Sequence, residues 1–478
     1  MPSHDARPHP MRTLFILSMS ALAFALAQTM LIPALGELTH QLDTDASGIA
    51  WVLTGYLLAA AVATPIAGRL GDMFGKRRLL VLSLVGFGVG STLAALGSSL
   101  EVVVAGRVLQ GMGGGIFPLC FGIIRDEFPR ERVAGSIGLI SAIFGIGGGA
   151  GLVGGGLIAD HLSYHWIFWL GAISAALAAI ATQLWVPESP ERTPGRIDLR
   201  GAALLGVGLV LPLLAISRAN DWGWGSTRTI VLIAAGLVVL AVWVAVERRT
   251  EQPLADISTL IKPPVLLTNI ATLFVGFGMF GSFLLIPQLA ELPTSTGFGF
   301  GLDATGAGLL MLPGALMMLF TGPISGALGT RFGSKLPLAM GAAAVSAGLL
   351  GLGLDHGSEL AVVVWSFVMS TGVGLAFAAM ANLIVEAVPP EQTGEATGIN
   401  TLTRSVGASI GSQVSAAILA GSAVAGSPLA TEDGFTAAFL VSAAVAAAAA
   451  AIAVVIPRGE HQALRAAAPR SGRVLAER

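Results

Sequence analysis

Charge is what this sequence has least of. Only 11% of its 478 residues are Asp, Glu, Lys or Arg, less than half of the roughly 25% usual in soluble domains. At a mean hydropathy of +0.80, a chain of this length has too little polar material to cover a water-soluble core. That excludes a soluble enzyme, a disordered chain and a nucleic-acid binder, the last of which needs a basic surface. Cysteine is nearly absent as well. Cys120 stands alone, which excludes an intramolecular disulfide framework and a cysteine-cluster metal site. The net charge of -2 decides little; the placement of the charges decides more.

Long apolar runs are what the sequence has in plenty. A helix of about 20 residues, rising 1.5 Å per residue, crosses a hydrocarbon layer of roughly 30 Å. Fourteen runs meet this requirement: Met11–Leu35, Ala50–Leu70, Leu79–Gly97, Glu101–Ile124, Ala134–Ile158, His165–Val186 and Arg200–Ser217, then Arg228–Val246, Val265–Ala290, Thr305–Leu328, Leu336–Leu354, Glu359–Val385, Ala396–Gly421 and Phe435–Ile456. The first follows a short basic segment, as a secretory leader would. At about 25 residues it exceeds the 7–15 residues of a leader's apolar region and is expected to be retained.

The basic residues orient the bundle. With both termini placed in the cytoplasm, 22 of the 26 Lys and Arg fall on that side, among them Arg69, the Lys76-Arg77-Arg78 run, Arg192, Arg196 and the basic tail. Arg218 and Arg228 fall outside, and Arg107 and Arg404 lie within helices. This is the positive-inside pattern, and Trp222 and Trp224 in an outer loop fit an interfacial aromatic belt.

The sequence also repeats itself. Leu31-Ile32-Pro33-Ala34-Leu35-Gly36-Glu37-Leu38 matches Leu285-Ile286-Pro287-Gln288-Leu289-Ala290-Glu291-Leu292 at six of eight positions. Pro65-Ile66-x-Gly68-x-x-Gly71-x-x-Phe74-Gly75 matches Pro323-Ile324-x-Gly326-x-x-Gly329-x-x-Phe332-Gly333. The repeat lays helix 9 on helix 1 and helix 10 on helix 2, a shift of eight helices that preserves orientation. The expected fold class is therefore an all-α polytopic membrane protein of two parallel six-helix bundles with two inserted helices. Its expected divisions are bundle 1–186, linker 187–199 with Pro187, Pro190 and Pro194, inserted pair 200–247, linker 248–264, bundle 265–456 and tail 457–478. Parallel repeats of this kind place a substrate path between the halves near the midplane.

Several segments carry chemistry. Gly68-Arg69-Leu70-Gly71-Asp72-Met73-Phe74-Gly75-Lys76-Arg77 is a tight loop with glycines that permit φ > 0 and an acid near a helix end; the plainer alternative is a generic basic loop. Arg107, followed by Gln110 and Gly111, is expensive inside a membrane unless it faces a cavity or a partner. Its alternative is structural hydrogen bonding to carbonyls. Gly145 to Gly156 contains eight glycines in twelve residues, and Gly147, Gly151 and Gly155 share one helical face suited to close packing. The run formally contains G-x-G-x-x-G, but no strand precedes it, so a nucleotide site is rejected. His161 and His165 have metal-ligand spacing with only Asp160 nearby and read as surface residues; no metal and no cofactor is expected. No nucleophile–base arrangement suggests an enzyme.

The 68–77 loop resembles the G-x-L-x-D-R-x-G-R-K signature of the major facilitator superfamily, with Met73 in the place of an arginine. The resemblance implies that Gly68, Asp72, Gly75, Lys76 and Arg77 form a conformational latch between the halves. The second copy has Thr330 in the place of the acid, so the latch is expected to be asymmetric. Arg107-x-x-Gln110-Gly111 is similar to the superfamily's R-x-x-Q-G element, which the resemblance associates with substrate or proton handling. Gly147, Gly151, Gly155 and Gly156 resemble the antiporter motif G-x-x-x-G-P-x-x-G-G, with Leu152 where the proline stands. His165-Trp166-Ile167-Phe168-Trp169, Arg196-Ile197-Asp198-x-x-Gly201 and Asn400-x-x-x-Arg404-x-x-Gly407 resemble the fourteen-helix drug:proton antiporter branch, and the likeness runs from helix 1 to helix 14.

No acid lies near the middle of a span; Glu37, Glu291 and Glu386 come nearest, at helix ends. The resembling branch usually has an acid in helix 1, where this chain has Gln28-Thr29. A cavity formed by Arg107, Arg404, Gln28, Thr29, Gln110, Asn269, Gln288, Asn382 and Asn400 amid apolar walls is therefore expected, and its composition favours neutral or anionic amphiphiles. Glu37 and Glu291 are the candidate proton sites. The expected function is proton-coupled export of a hydrophobic small molecule or drug by alternating access, as a monomer in the plasma membrane with protons and lipid as its other partners. Two alternatives stay open: an importer or facilitator of an organic anion, with Arg107 and Arg404 as its binding pair, and a non-transporting sensor or lipid-handling module.

Overall fold

The computed structural model describes residues 10–44, 46–189, 198–422 and 429–457. Much of the first linker, with Pro190, Pro194, Arg192 and Arg196, lies outside the described residues, as do the Asp160 side chain, residues 1–9 and nearly all of the basic tail. No strand occurs among the described residues. Fourteen long helical segments follow one another: α1 (Pro10–Thr29), α2 (Ala46–Phe74), α3 (Lys76–Leu96), α4 (Leu100–Glu127), α5 (Arg130–His161), α6 (His165–Trp185), α7 (Leu199–Ser217), α8 (Thr227–Glu247), α9 (Pro263–Glu291), α10 (Ala304–Phe332), α11 (Lys335–Leu354), α12 (Glu359–Ala387), α13 (Thr393–Gly421) and α14 (Glu432–Val455). Thirteen are long and apolar enough to cross a membrane. The other, α13, spans 29 residues but carries many hydroxyl, amide and charged side chains, and it packs between α9 and α2.

Three expected boundaries are corrected. Helix 1 does not run to Leu35. It ends at Thr29, and a turn leads into a separate short helix, Leu35–Gln41, that carries Glu37. The repeat-equivalent α9 runs unbroken through Pro287 to Glu291. The two Leu-Ile-Pro segments thus differ in backbone although they match in sequence: a residue before proline disfavours the α region, and the surrounding helix overrides this in only one copy. Helix 4 is interrupted by a 3-10 stretch, Gly111–Gly115, where Gly111, Gly113 and Gly114 come up against Ala59, Phe24 and Thr64. Helix 13 begins at Thr393, past Pro389-Pro390, so Glu395 is its third residue and is buried.

Gly75 and Gly333 hold φ of +110° and +89°. Only glycine adopts such angles without strain, and both residues separate consecutive helices at equivalent points of the repeat. The halves meet along two seams that the repeat interchanges, α5 against α10 and α2 against α13. Glycine lines the first seam through its depth. Gly138 faces the Gly322 carbonyl, Gly145 faces Met318, Gly149 faces Ala315 and Gly156 faces Thr305. A different face of α5 carries Gly147, Gly151 and Gly155, which pack on Ala25, Thr29 and Met30 at the end of α1. Gly156 therefore belongs to the seam between halves and not to the stripe with the other three. The second seam is close at Gly68–Gly394 and Pro65–Gly398, and α7 leans on both of its helices.

Where backbone meets backbone, a new side chain has nowhere to go, and overpacking costs about 1–3 kcal/mol. Gly138→Val is expected to lower the thermal midpoint of the detergent-purified protein by several degrees. Gly135→Ala, on the same helix with open space at its Cβ, is expected to hold the midpoint or raise it.

Candidate functional site

One end of the bundle collects the loops with Arg69, Lys76 to Arg78, Arg125 and Arg331, and at this basic end the second seam is tied shut. Asp72, near the end of α2, is 1% exposed. Its carboxylate accepts the backbone N–H of Gly394 at 3.2 Å and of Glu395 at 2.9 Å. These are the second and third residues of α13, whose first turn has no side-chain cap of its own. Asp72 thus does for α13 what an N-cap residue does within its own chain segment: it satisfies orphan donors and places a negative charge at the positive end of the helix dipole.

The surroundings hold Asp72 in place. Lys76 Nζ lies 3.4 Å from Asp72 and 2.6 Å from Asp126, and the Ser189 hydroxyl also donates to Asp126. Arg77 donates its backbone N–H to Glu188 at 3.1 Å. Gly68 backs onto the Gly394 carbonyl, where a Cβ would collide. The five latch residues named from the sequence are brought together here. Four partners were not named: Arg125, which donates to the Val388 carbonyl at 2.7 Å and to Thr393 Oγ1 at 2.7 Å, Glu395, Asp126 and Glu188. Glu395 faces Arg69 at 3.5 Å and accepts the Asp256 backbone N–H. The segment 248–264 is thus more than a connection. Burial works against ionisation of Asp256, but hydrogen bonds from Ser258, Thr259 and Gln392 hold its carboxyl below the usual range. In the second copy Thr330 turns its hydroxyl back to the Ala327 carbonyl of its own helix.

The polar residues expected to share one cavity fall into separate groups. Arg107 is 1% exposed inside the first bundle. It donates to the Val52 carbonyl at 3.1 Å and to Gln110 Oε1 at 2.7 Å, and lies 4.2 Å from the centroid of the Tyr56 ring. Gln110 in turn donates to Ser91. Arg107 and Gln110 are thereby withdrawn from a path between halves, and Arg107 does not pair with Arg404. The Thr29 hydroxyl donates to the Gly147 carbonyl at 2.7 Å, fastening α1 to α5. Asn400 donates to Asn269 and Thr272, both at 2.9 Å, joining α13 to α9. Asn382 reaches across the halves to the Ala134 carbonyl at 3.3 Å. Gln28 is half-buried on α1, and Gln288 is exposed near the end of α9.

Arg404 stands apart. Its guanidinium lies 4.6 Å from the centroid of Phe377 on α12 and 5.2 Å from that of Phe144 on α5. Among the described residues it has no carboxylate partner, and it is only partly buried. Phe144 touches Phe280 of α9, Phe117 of α4 and Phe377 at centroid separations of 6.4, 5.6 and 5.6 Å, and Phe117 continues to Phe24 of α1. Arg404 is eleven residues beyond the start of α13, about 16 Å along the helix, which is half the thickness of a bilayer core. Rings from both repeats thus gather around one cation near mid-depth. The sequence names Arg404 but not the rings, because phenylalanine in an apolar span reads equally as lipid-facing or core.

Long apolar helices in two repeats, meeting along two seams with an aromatic cluster between them, form the architecture of a polytopic membrane protein. The chain belongs to the Major Facilitator Superfamily, whose sequence model matches residues 17–412. It is 28% identical over 424 residues to the tetracenomycin C resistance and export protein of Streptomyces glaucescens, covering 88% of this chain and 78% of that one. It is 30% identical to the multidrug resistance protein Stp of Mycobacterium tuberculosis, over 81% of this chain and 72% of that one. With the multidrug transporter protein MdtP of Bacillus subtilis it shares 28% identity over 85% and 75% of the two chains. The crystal structure of the human organic anion transporter MFSD10 (TETRAN) is similar in fold, with a TM-score of 0.64, 16% identity, and coverage of 94% of this chain and all of that one.

Removing a helix cap costs about 1–2 kcal/mol, which shifts a two-state equilibrium by about tenfold. Asp72→Ala is therefore expected to speed maleimide labelling of a cysteine placed at Thr397, a buried residue of α13, by about tenfold. The native Cys120 is buried and contributes little background. Unchanged labelling would mean that the cap does not hold the seam.

Proposed function

We propose that this protein exports hydrophobic small molecules of the drug class from the cell, driven by protons and working by alternating access as a monomer in the plasma membrane. The observation that carries the reading is the pairing of a mid-depth cluster of rings around Arg404 with a seam tied at its basic end by hydrogen bonds and ion pairs. Such contacts exchange readily with water, whereas the α5–α10 seam is lined largely by glycine, Ala315 and Met318. Opening the α2–α13 seam at the basic end would admit a molecule from that side. The distribution of basic residues supports a cytoplasmic location for that end, with the termini on the same side.

The relatives named for drug and antibiotic resistance or export, all aligned over most of this chain, support the cargo class. Proton coupling needs a carboxyl that titrates near neutrality. Glu37, at the end away from the latch, meets this in direction: burial pushes its carboxyl up, partly offset by the Tyr164 backbone amide and by His165. We assign it the proton-binding role, with Glu291 as its repeat-equivalent partner.

In inverted membrane vesicles energised with a proton gradient, the protein is expected to accumulate hydrophobic dyes, and a protonophore should abolish the accumulation. A raised carboxyl pKa means that the proton is held to a higher pH than usual. Glu37→Gln should therefore flatten the dependence of uptake on pH just above the ordinary carboxylate range. Accumulation indifferent to the protonophore would refute proton coupling, and an unchanged pH profile in the variant would remove Glu37 from that role.

A further inference from the structure

We infer that the site between the halves selects acidic aromatic molecules: a flat ring system seated among Phe144, Phe280 and Phe377, with one negative charge held by the guanidinium of Arg404. This rests on the transporter reading above and names the chemistry of its cargo.

The argument starts from the fate of the other interior cations. Arg107 donates to Val52 and Gln110 and lies against the Tyr56 ring. Lys76 has Asp72 and Asp126, Arg69 has Glu395, and Arg218 has Asp221. Arg125 is spent on the carbonyls of Val388 and Pro389 and the Thr393 hydroxyl. In each case the protein answers the cation with its own acceptors. Among these described cations, Arg404 is the one answered with two phenyl rings, which steady a guanidinium without neutralising it or using its N–H donors. A charge left in this condition inside a membrane helix is expensive and is retained where a ligand supplies the counter-charge.

The acids sharpen the selection. The buried carboxylates of Asp72 and Glu395 are engaged at the basic end. Glu37 lies in the first turn of the short helix Leu35–Gln41, and Glu291 is the last residue of α9. No carboxylate among the described residues is paired with Arg404, so a permanent cation there meets the charge of Arg404 with no acid to neutralise it. A guanidinium also stays protonated at any physiological pH and presents a planar fork of donors that suits a carboxylate, sulfonate or phenolate. The rings come from α5, α9 and α12, so they belong to both halves and would close on the ring system as the halves rock. Weak aromatic acids cross membranes in their neutral form and ionise inside at neutral pH. The ionised form is the one this site is built to take.

The test uses the full chain in lipid nanodiscs and three probes with one ring system: 2-naphthoate, 2-naphthol and the quaternary 2-naphthyl-trimethylammonium. A charge-assisted hydrogen-bond pair is worth about tenfold or more in affinity. Binding of 2-naphthoate is therefore expected to exceed that of the ammonium probe by at least about tenfold. Arg404→Gln should bring this ratio to about one, and Arg404→Lys, which keeps the charge and loses the fork, should give an intermediate ratio. Phe377→Leu should weaken all three probes together. Size-exclusion and thermal profiles identify any variant that fails to fold, and the wild-type ratio then decides alone. A wild-type preference for the ammonium probe, or a ratio that survives in Arg404→Gln, would overturn the inference. Binding and transport separate the two readings. Selective binding of 2-naphthoate with no accumulation in inverted vesicles would defeat export and leave the site chemistry standing. Accumulation of all three probes without regard to charge would do the reverse.

Discussion

The carboxylate of Asp72 finishes a helix that belongs to the other half of the molecule. In the first turn of α13, Thr393 donates its backbone N–H to the Pro390 carbonyl, but those of Gly394 and Glu395 have no helical carbonyl to pair with, and the preceding residue, Gln392, supplies no side-chain cap. In a low-dielectric environment each such donor is costly to leave unmade. Asp72 satisfies two of them, and its own burial is made tolerable by Lys76, which is anchored in turn by Asp126. The network around the basic end, including Arg69, Glu395, Arg125 and the 248–264 segment, is arranged about that one cap. Were the halves to part here, α13 would exchange a protein acceptor for water, and this is the end where water is at hand.

The two seams solve the same contact in different ways. The repeat makes α5–α10 and α2–α13 counterparts, yet one copy of the loop has Asp72 and the other Thr330. Where the acid is missing, closeness is supplied by Gly138, Gly322 and Gly326, and the hydroxyl of Thr330 stays on its own helix. Polar closure and apolar closure are thus divided between the seams. The inserted helices α7 and α8 lie beside the polar one, through the apolar cluster of Leu205, Leu209 and Trp243 with Ala61 and Leu402.

Much of this was legible in the sequence, for identifiable reasons. Span number and repeat follow from hydropathy and from matched segments, both local properties. The five residues of the 68–77 loop could be picked out together because a short loop holds them all. Their partners were not, because Glu395, Arg125 and Asp126 are remote in sequence and look like ordinary loop charges until the helices dock. The proposed polar cavity dispersed for a related reason. Arg107, Thr29 and Asn400 each found a carbonyl, an amide or a hydroxyl close by, and in a membrane a polar side chain takes the first partner it can reach. Arg404 was visible as a charge in a span. Its rings were invisible, since nothing distinguishes Phe144 or Phe377 from the phenylalanines that fill a core. The early end of α1 shows the limit of the repeat itself, for equal sequence at Pro33 and Pro287 gave unequal backbone.

The glycine seam between α5 and α10 has a mechanical side. Interlocked side chains resist relative motion, because each must leave its rotamer well before the next fit is reached. At Gly138 and Gly322 there is nothing to interlock; two smooth backbones face each other. A surface of that kind behaves as a bearing, with little friction against a small rotation and little elastic memory of either position. Whatever favours one position over the other must then come from the opposite seam and from the cargo.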